Sequence, residues 1–331
     1  MNLGENVLGG LFALLSAATF ALNQASTRRG VLTGTVLQAL CVTVPMGVPL
    51  FLLIAFAIGH AGDIFTFNAM SVMWLSLAGI NHFLAGRFFN YWGVQAAGSN
   101  ITGTVQQLDI VVSLGLAIWL LGEYLTPLRV AGIVLILGSP LLTLRSDIKA
   151  ARGESGPLKF TPQLGRGYAG AILAGICYGV SPILVRAGLQ DASPGASMAA
   201  GVISYFAASV VLFLIVILLG RGREAISTDR KALPWFAFAG LSVGAAQVFR
   251  YAALAMVPVA VVAPILRTTL VFRLFFSWWL NRDHEIFSKG IVLTTFLSLF
   301  GALLLSMSTD LFLSLVPVPA WMETIIRMRW P

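Results

Sequence analysis

The chain has 331 residues, of which 58% are hydrophobic and 10% charged, against about 45–50% and about 25% in an ordinary soluble domain. Its charges, 21 Lys and Arg plus 13 Asp and Glu, are too few to keep a surface of this size in water. The composition therefore excludes a soluble protein and points to a chain solvated by lipid. The net charge of +8 comes with no basic tract and no nucleic-acid-reading motif, so basic loops on the cytoplasmic side explain it and no nucleic-acid partner is expected.

The two cysteines, Cys41 and Cys177, fall in separate apolar stretches, which gives neither a disulfide framework nor a thiolate metal site. His60, His82 and His284 form no HxxxH or HExxH pair, and there is no GxxxxGK[ST] phosphate loop. No cofactor is expected. Residues Met1 to Val7 carry Glu5 and no Lys or Arg, unlike the basic start of a cleaved signal peptide, so the first apolar stretch reads as a permanent span.

A spanning helix needs about 20 mostly apolar residues, because only a helix satisfies its own backbone in lipid. Ten such segments follow one another, at residues 8–27, 36–58, 72–95, 99–121, 126–144, 167–187, 195–219, 233–256, 259–280 and 288–308. They predict an all-α integral membrane protein with ten transmembrane helices. Residues 146–166 read as a polar linker between a first unit, 1–145, and a second unit, 167–308. Residues 309–331, interrupted by Pro317 and Pro319, read as an interfacial tail with Trp321 and Trp330 at headgroup depth. Thirteen of the Lys and Arg lie in loops 1–2, 5–6, 7–8 and 9–10 (for example Arg28, Arg29, Arg282 and Lys289), a bias that favours a cytoplasmic linker and outward termini.

The two units overlay. Residues 17–30 match 175–188 at an offset of 158, pairing Arg28 with Arg186; at an offset of 160, Arg87, Asn90 and Tyr91 meet Gln247, Arg250 and Tyr251; at 162, Glu123 meets Glu285. Five spans per unit is an odd number, so the repeats are inverted. Such repeats hold a solute near the midplane between halves that rock around it.

These features carry a resemblance. The small-residue first helix of each half, the run LLGEYLTPLRVAGIVLILG (120–138) and the run YAALAMVPVAVVAPIL (251–266) are similar, in this order, to the ten-helix drug/metabolite transporters of the EamA type, over about residues 11–306. Two places depart from the family pattern: Gln106, Gln107, Leu108 and Asp109 stand where a proline is common, and Arg282, Asp283, His284 and Glu285 replace a clean Gly-Glu. The resemblance implies transport of small organic solutes without ATP, often export. It also implies cytoplasmic termini, opposite to the charge count.

Ionisable groups at span depth are costly and by default face an interior cavity. Five stand out: Arg87 in span 3, Asp109 in span 4, Arg250 in span 8, and Arg267 and Arg273 in span 9. Arg87, Asn90 and Tyr91 share one helical face, as do Gln247, Arg250 and Tyr251, while Gln106, Asp109 and Ser113 form a third stripe. The five sum to +3, an environment for an anionic or zwitterionic solute clamped by guanidinium groups and flanked by Tyr91 and Tyr251. The candidate substrate-binding set is Arg87, Asn90, Tyr91, Gln106, Asp109, Arg250, Tyr251, Arg267 and Arg273. Asp109 would bind a solute amine or carry a coupled proton. The bland alternatives are an Arg87–Asp109 structural pair, snorkelling of Arg267 and Arg273, solvated Glu123 and Glu285, and a hydrogen-bonded interior His82. Pro182 and Pro264 are expected to border the cavity and Pro258 to shape a turn, whereas the Gly175-xxx-Gly179 and Gly240-xxx-Gly244 pairs need only mean close helix packing.

The expectation is a multi-pass cell-membrane protein, monomer or homodimer, that moves a small metabolite by alternating access. The alternative from another class is a membrane-embedded enzyme acting on an anionic lipid or lipid-linked phosphate. It would need an acid/base cluster, for which only Asp283, His284 and Glu285 qualify.

Overall fold

The computed structural model describes residues 3–121, 124–151, 160–190, 196–257, 259–307 and 309–330. Glu123, Pro258 and the middle of the linker, 152–159, lie outside the described residues, as do the side chains of Tyr251 and Pro264.

Helices occupy each of the ten apolar segments. Span 1 is α1 (Leu3–Gly30); span 2 is α2 (Val36–Thr43) followed by α3 (Gly47–Ala57), divided at Pro45. Span 3 is α4 (Ala69–Gly79), a π-helical stretch Ile80–Gly86, and α5 (Arg87–Ala97). Span 4 is α6 (Ser99–Val105) and α7 (Leu108–Leu121), span 5 is α8 (Pro127–Ala151), span 6 is α9 (Leu164–Gly188) and span 7 is α10 (Ser197–Leu218). After a short α11 (Gly222–Ile226), span 8 is α12 (Leu233–Met256), span 9 is α13 (Val259–Leu266) and α14 (Thr269–Asn281), and span 10 is α15 (Lys289–Ser306). Spans 1, 2, 3, 4, 6 and 7 each meet a plain length-and-hydropathy criterion for crossing a bilayer. Among the described residues the one β feature is a bridge between Leu125 and Trp330.

Side-chain caps fix where several helices start. Thr35 Oγ1 accepts from the Gln38 amide while Gln38 Oε1 accepts from the Thr35 amide, a capping box that opens α2. Asn68 and Ser288 are single side-chain N-caps of α4 and α15, accepting from the Ser71 and Ile291 amides.

Packing displays the inverted repeat directly. The first helix of one half, α1, lies against α12 and α14, which are spans 8 and 9 of the other half; the first helix of the second half, α9, lies against α5 and α7, spans 3 and 4. The spans that repeat into each other across the axis also touch, α3 with α10 and α8 with α15. On the second of these contacts Ser139 and Ser298 share a hydrogen bond of 2.9 Å, and Gly132 and Gly301 lie back to back. Small residues permit such approaches where lipid supplies no hydrophobic drive between helices. Gly175 and Gly179 seat α9 on the backbone around Asp109 and Val112, and Gly240 and Gly244 receive Met46 and Leu50. Gly30 and Gly34 both press on the fully buried ring of Phe236. Large apolar side chains such as Leu53, Phe56, Trp119, Ile217 and Leu218 stay exposed on the outer surface, where lipid tails are their solvent.

The tail forms α16 (Thr309–Leu315) and α17 (Ala320–Ile326) and folds back on α8. Ile326 is buried in one cluster with Leu128 and Leu304, and Trp330 exchanges both backbone hydrogen bonds with Leu125. Trp321 remains 64% exposed.

Candidate functional site

A cavity of about 790 Å³ lies between spans 2, 3, 6, 7 and 8. Its lining comes from the last turns of α9 (Ser181, Pro182, Val185, Arg186, Leu189, Gln190), the first turns of α10 (Ser197, Ala200, Gly201, Ser204), and α4 with the π-helical stretch (Leu75, Ala78, His82, Phe83). Phe51, Gln247 and Arg250 complete it. These positions cluster toward loops 2–3, 6–7 and 8–9, so the cavity opens at the face where α1 begins. Arg186 and Arg250 are both exposed, and no carboxylate is among the described lining residues. Two guanidinium groups, amide and hydroxyl donors, and the rings of Phe51, Phe83 and His82 give a cationic chamber with apolar walls, suited to an organic anion.

The π-helical stretch aims this wall. One extra residue per turn rotates the following side chains, and such bulges recur at functional sites. His82 packs tilted against Tyr178, with ring centroids 4.5 Å apart and planes at 46°, and Asn81 Nδ2 donates to the Cys177 carbonyl at 2.6 Å. Pro182 lies within α9 and leaves the Tyr178 carbonyl without its helical donor.

Behind Tyr178 and Pro182 lies a second pocket of about 300 Å³, lined by Asp109, Ile110, Ser113, Leu114, Ala117, Tyr178, Pro182, Arg267 and Leu305. It sits where two spans are interrupted at equivalent levels: α6 gives way to α7 at Gln106–Gln107, and α13 to α14 at Arg267–Thr268. Around both breaks the backbone closes tighter three-residue turns, Asp109 to Gln106 and Leu270 to Arg267 among them. Asp109 Oδ1, Gln107 Oε1 and Arg267 Nε are buried there without a hydrogen-bond partner.

The opposite face is sealed by a buried polar hub. Arg28, 1% exposed, donates to the carbonyls of Val94 (2.7 Å), Gln95 (3.0 Å) and His284, and its guanidinium covers the Phe160 ring at 4.4 Å. Glu285, also 1% exposed, lies 3.8 Å from Arg28 and accepts from the amide and hydroxyl of Ser99 (both 2.6 Å) and the amide of Asn100 (3.2 Å). The carboxylate thus caps the N-terminus of α6. Gly98, at φ +91, makes the corner before it, and a Cβ there would meet the carboxylate. Arg273, 4% exposed, lies over Gly103 beside this hub with Nε and Nη2 unpartnered. One hub therefore ties loops 1–2, 3–4 and 9–10 to the linker.

The nine sequence candidates do not form one cluster. Arg250 lines the main cavity, and Asp109 with Arg267 lines the second pocket. Asn90 donates to Gln106 at 3.0 Å, joining spans 3 and 4 beside the breaks. Arg87 and Tyr91 face spans 2 and 7: Arg87 donates to the Thr43 carbonyl and the Tyr205 hydroxyl, both at 3.0 Å, and Tyr91 hydrogen-bonds Thr43 at 3.0 Å. Arg87 has Tyr205 and Phe83 beside it rather than Asp109. Arg273 belongs with the sealed face. Residues that the sequence did not single out as a site, Arg186 at the mouth and Arg28 with Glu285 at the seal, were nevertheless marked by the repeat overlay, which pairs Arg28 with Arg186 and Glu285 with Glu123.

The profile of the EamA-like transporter family matches residues 7–145 and 165–307. No curated protein matches the chain. A solved structure titled only "Crystal structure of protein" superposes with a TM-score of 0.56 at 19% identity, over 92% of this chain and 96% of the other, a likeness of fold alone. With both halves matched in order, the chain belongs to the EamA-like transporter family and is a multi-pass membrane transporter of small solutes.

Proposed function

We propose that this transporter exports a small organic anion or amino-acid-like zwitterion across the cell membrane by alternating access, with the 790 Å³ cavity as its loading chamber. The observation that carries this reading is the asymmetry of the ends: a chamber with Arg186 and Arg250 open at one face, and the buried Arg28–Glu285 hub at the other. Arg250 and Arg186 would hold the solute's anionic group through paired donors, Phe51 and Phe83 its apolar body. Rocking of the two repeats would break the hub and expose the chamber to the second face. Of the three residues the lipid-enzyme reading could use, Glu285 is engaged by Arg28 and the first amides of α6, which weighs against that reading.

The test is thermal stabilisation of the purified protein by carboxylates, amino acids, sugar phosphates, nucleotides and amines, since a ligand stabilises in proportion to occupancy. A stabilising anion or zwitterion should lose at least tenfold in affinity in Arg250→Gln, which remains folded. The same solute should move into proteoliposomes carrying the wild-type protein. Stabilisation by cations alone, or an unaltered response in Arg250→Gln, would sink the assignment.

A further inference from the structure

We infer that Asp109 and Arg267 form a second, proton-linked anion subsite, in which a monocarboxylate binds Arg267 only together with a proton on Asp109. The inference rests on the transporter reading for its use in the cycle, and on its own pocket for its chemistry.

The pocket is built for a small polar ligand. It holds about 300 Å³ next to the main cavity, with Pro182 as a shared wall. Its polar lining is Asp109, Arg267, Ser113 and Tyr178. Two of these present buried atoms with no hydrogen-bond partner, Asp109 Oδ1 and Arg267 Nε. Buried polar atoms without partners are costly, and a ligand that satisfies them gains what they otherwise lose.

Charge decides what that ligand is. Among the described lining residues the one charged group facing Asp109 across the pocket is Arg267 from the α13–α14 break; α9 contributes the neutral phenol of Tyr178 and α15 contributes Leu305. With Asp109 ionised, the carboxylate is itself the anion nearest Arg267 and the pocket sums to zero. A second carboxylate would then face the first in a poorly solvated space. When Asp109 takes a proton from water entering at the open mouth, the pocket carries +1, Arg267 is released to a carboxylate from outside, and the Asp109 O–H becomes a donor to it. No bond other than O–H forms. The two broken spans add to the preference, since α7 and α14 both begin at this level with their positive ends. Proton and anion must therefore favour each other's binding equally, as linkage requires.

The probe is benzoate, added to the purified full-length protein in detergent, with calorimetry in two buffers of different ionisation enthalpy to count protons. The expected result is uptake of about one proton per benzoate by the wild type. In Asp109→Asn, benzoate still binds, proton uptake falls to zero and the affinity loses its pH dependence. In Arg267→Gln, affinity falls at least tenfold, while dicyclohexylcarbodiimide, which reacts with protonated carboxyl groups in apolar surroundings, still labels Asp109. Benzoate binding without proton uptake overturns the inference, as does uptake that survives Asp109→Asn, or no binding at all. If binding is lost in Arg250→Gln but intact in Arg267→Gln, the anion occupies the main cavity alone; the proposed function then stands and the second subsite falls.

Discussion

The two ends of the molecule are built from equivalent positions of an inverted repeat and are in opposite conditions. At the sealed end Arg28 is 1% exposed and anchored to three carbonyls, with Glu285 between it and the first amides of α6. At the other end its repeat partner, Arg186, is exposed and lines the mouth of the cavity. One residue type, at paired positions of the overlay, is a buried structural anchor in the first half and an exposed cavity-lining cation in the second. Inverted repeats give a transporter two ends of similar design, and the conformation decides which is shut. In the proposed cycle the hub is the contact that has to be undone for the chamber to change sides.

The largest expected effect comes from removing the carboxylate at the sealed end. Glu285→Ala leaves Arg28 buried without its counter-charge and the α6 amides uncapped, a loss of about 3–5 kcal/mol for a broken buried pair. Its readout is access. A cysteine placed at Ser277, which is fully buried beside Ser99, in a background lacking Cys41 and Cys177, should react with a water-soluble thiol reagent much faster once Glu285 is replaced. An unchanged rate would show that the hub does not hold this face shut.

A steric change beside the hub should have a smaller effect. A Cβ on Gly103 would collide with the Arg273 guanidinium, so Gly103→Ala should cost about 1–3 kcal/mol, as overpacking does. Thermal unfolding in detergent measures it, and Arg273→Leu added to Gly103→Ala should restore part of the loss. Simple additivity of the two changes would mean that the two residues are not in contact.

The smallest effect on stability is expected at the open end. Arg186→Gln should stay within about 0.5 kcal/mol of the parent, as exposed substitutions do, while weakening any anion that binds in the cavity. A large destabilisation would make Arg186 a bolt like Arg28 and erase the contrast between the ends.

The sequence was informative about positions and mute about neighbours. Arg87, Asn90 and Tyr91 share a face by periodicity, yet in the fold Arg87 and Tyr91 turn to spans 2 and 7 while Asn90 reaches Gln106. A helical face is about 100° wide or more, and three residues on it can address two different partners. The π-helical stretch before Arg87 adds a rotation that no residue in INHFLAG announces. Arg267 and Asp109, on different spans 158 residues apart in number, meet because their spans break at matching levels. The Gln106–Gln107 departure from the family pattern was the one written trace of that break.

What the sequence determined by itself is the solvent, the ten apolar segments, the two units and the short set of ionisable residues held at membrane depth, because each follows from local composition and from the cost of placing charge in lipid. The overlay of the halves also paired individual residues, Arg28 with Arg186 among them. Only the tertiary structure decided what equivalence means in this conformation: which face is shut, which cations reach a cavity and which serve as bolts. Those outcomes depend on contacts between α1 and α12, α9 and α5, and α8 and α15, pairs far apart in the chain. Helical periodicity aims a side chain, and the packing of one repeat against the other determines what it meets.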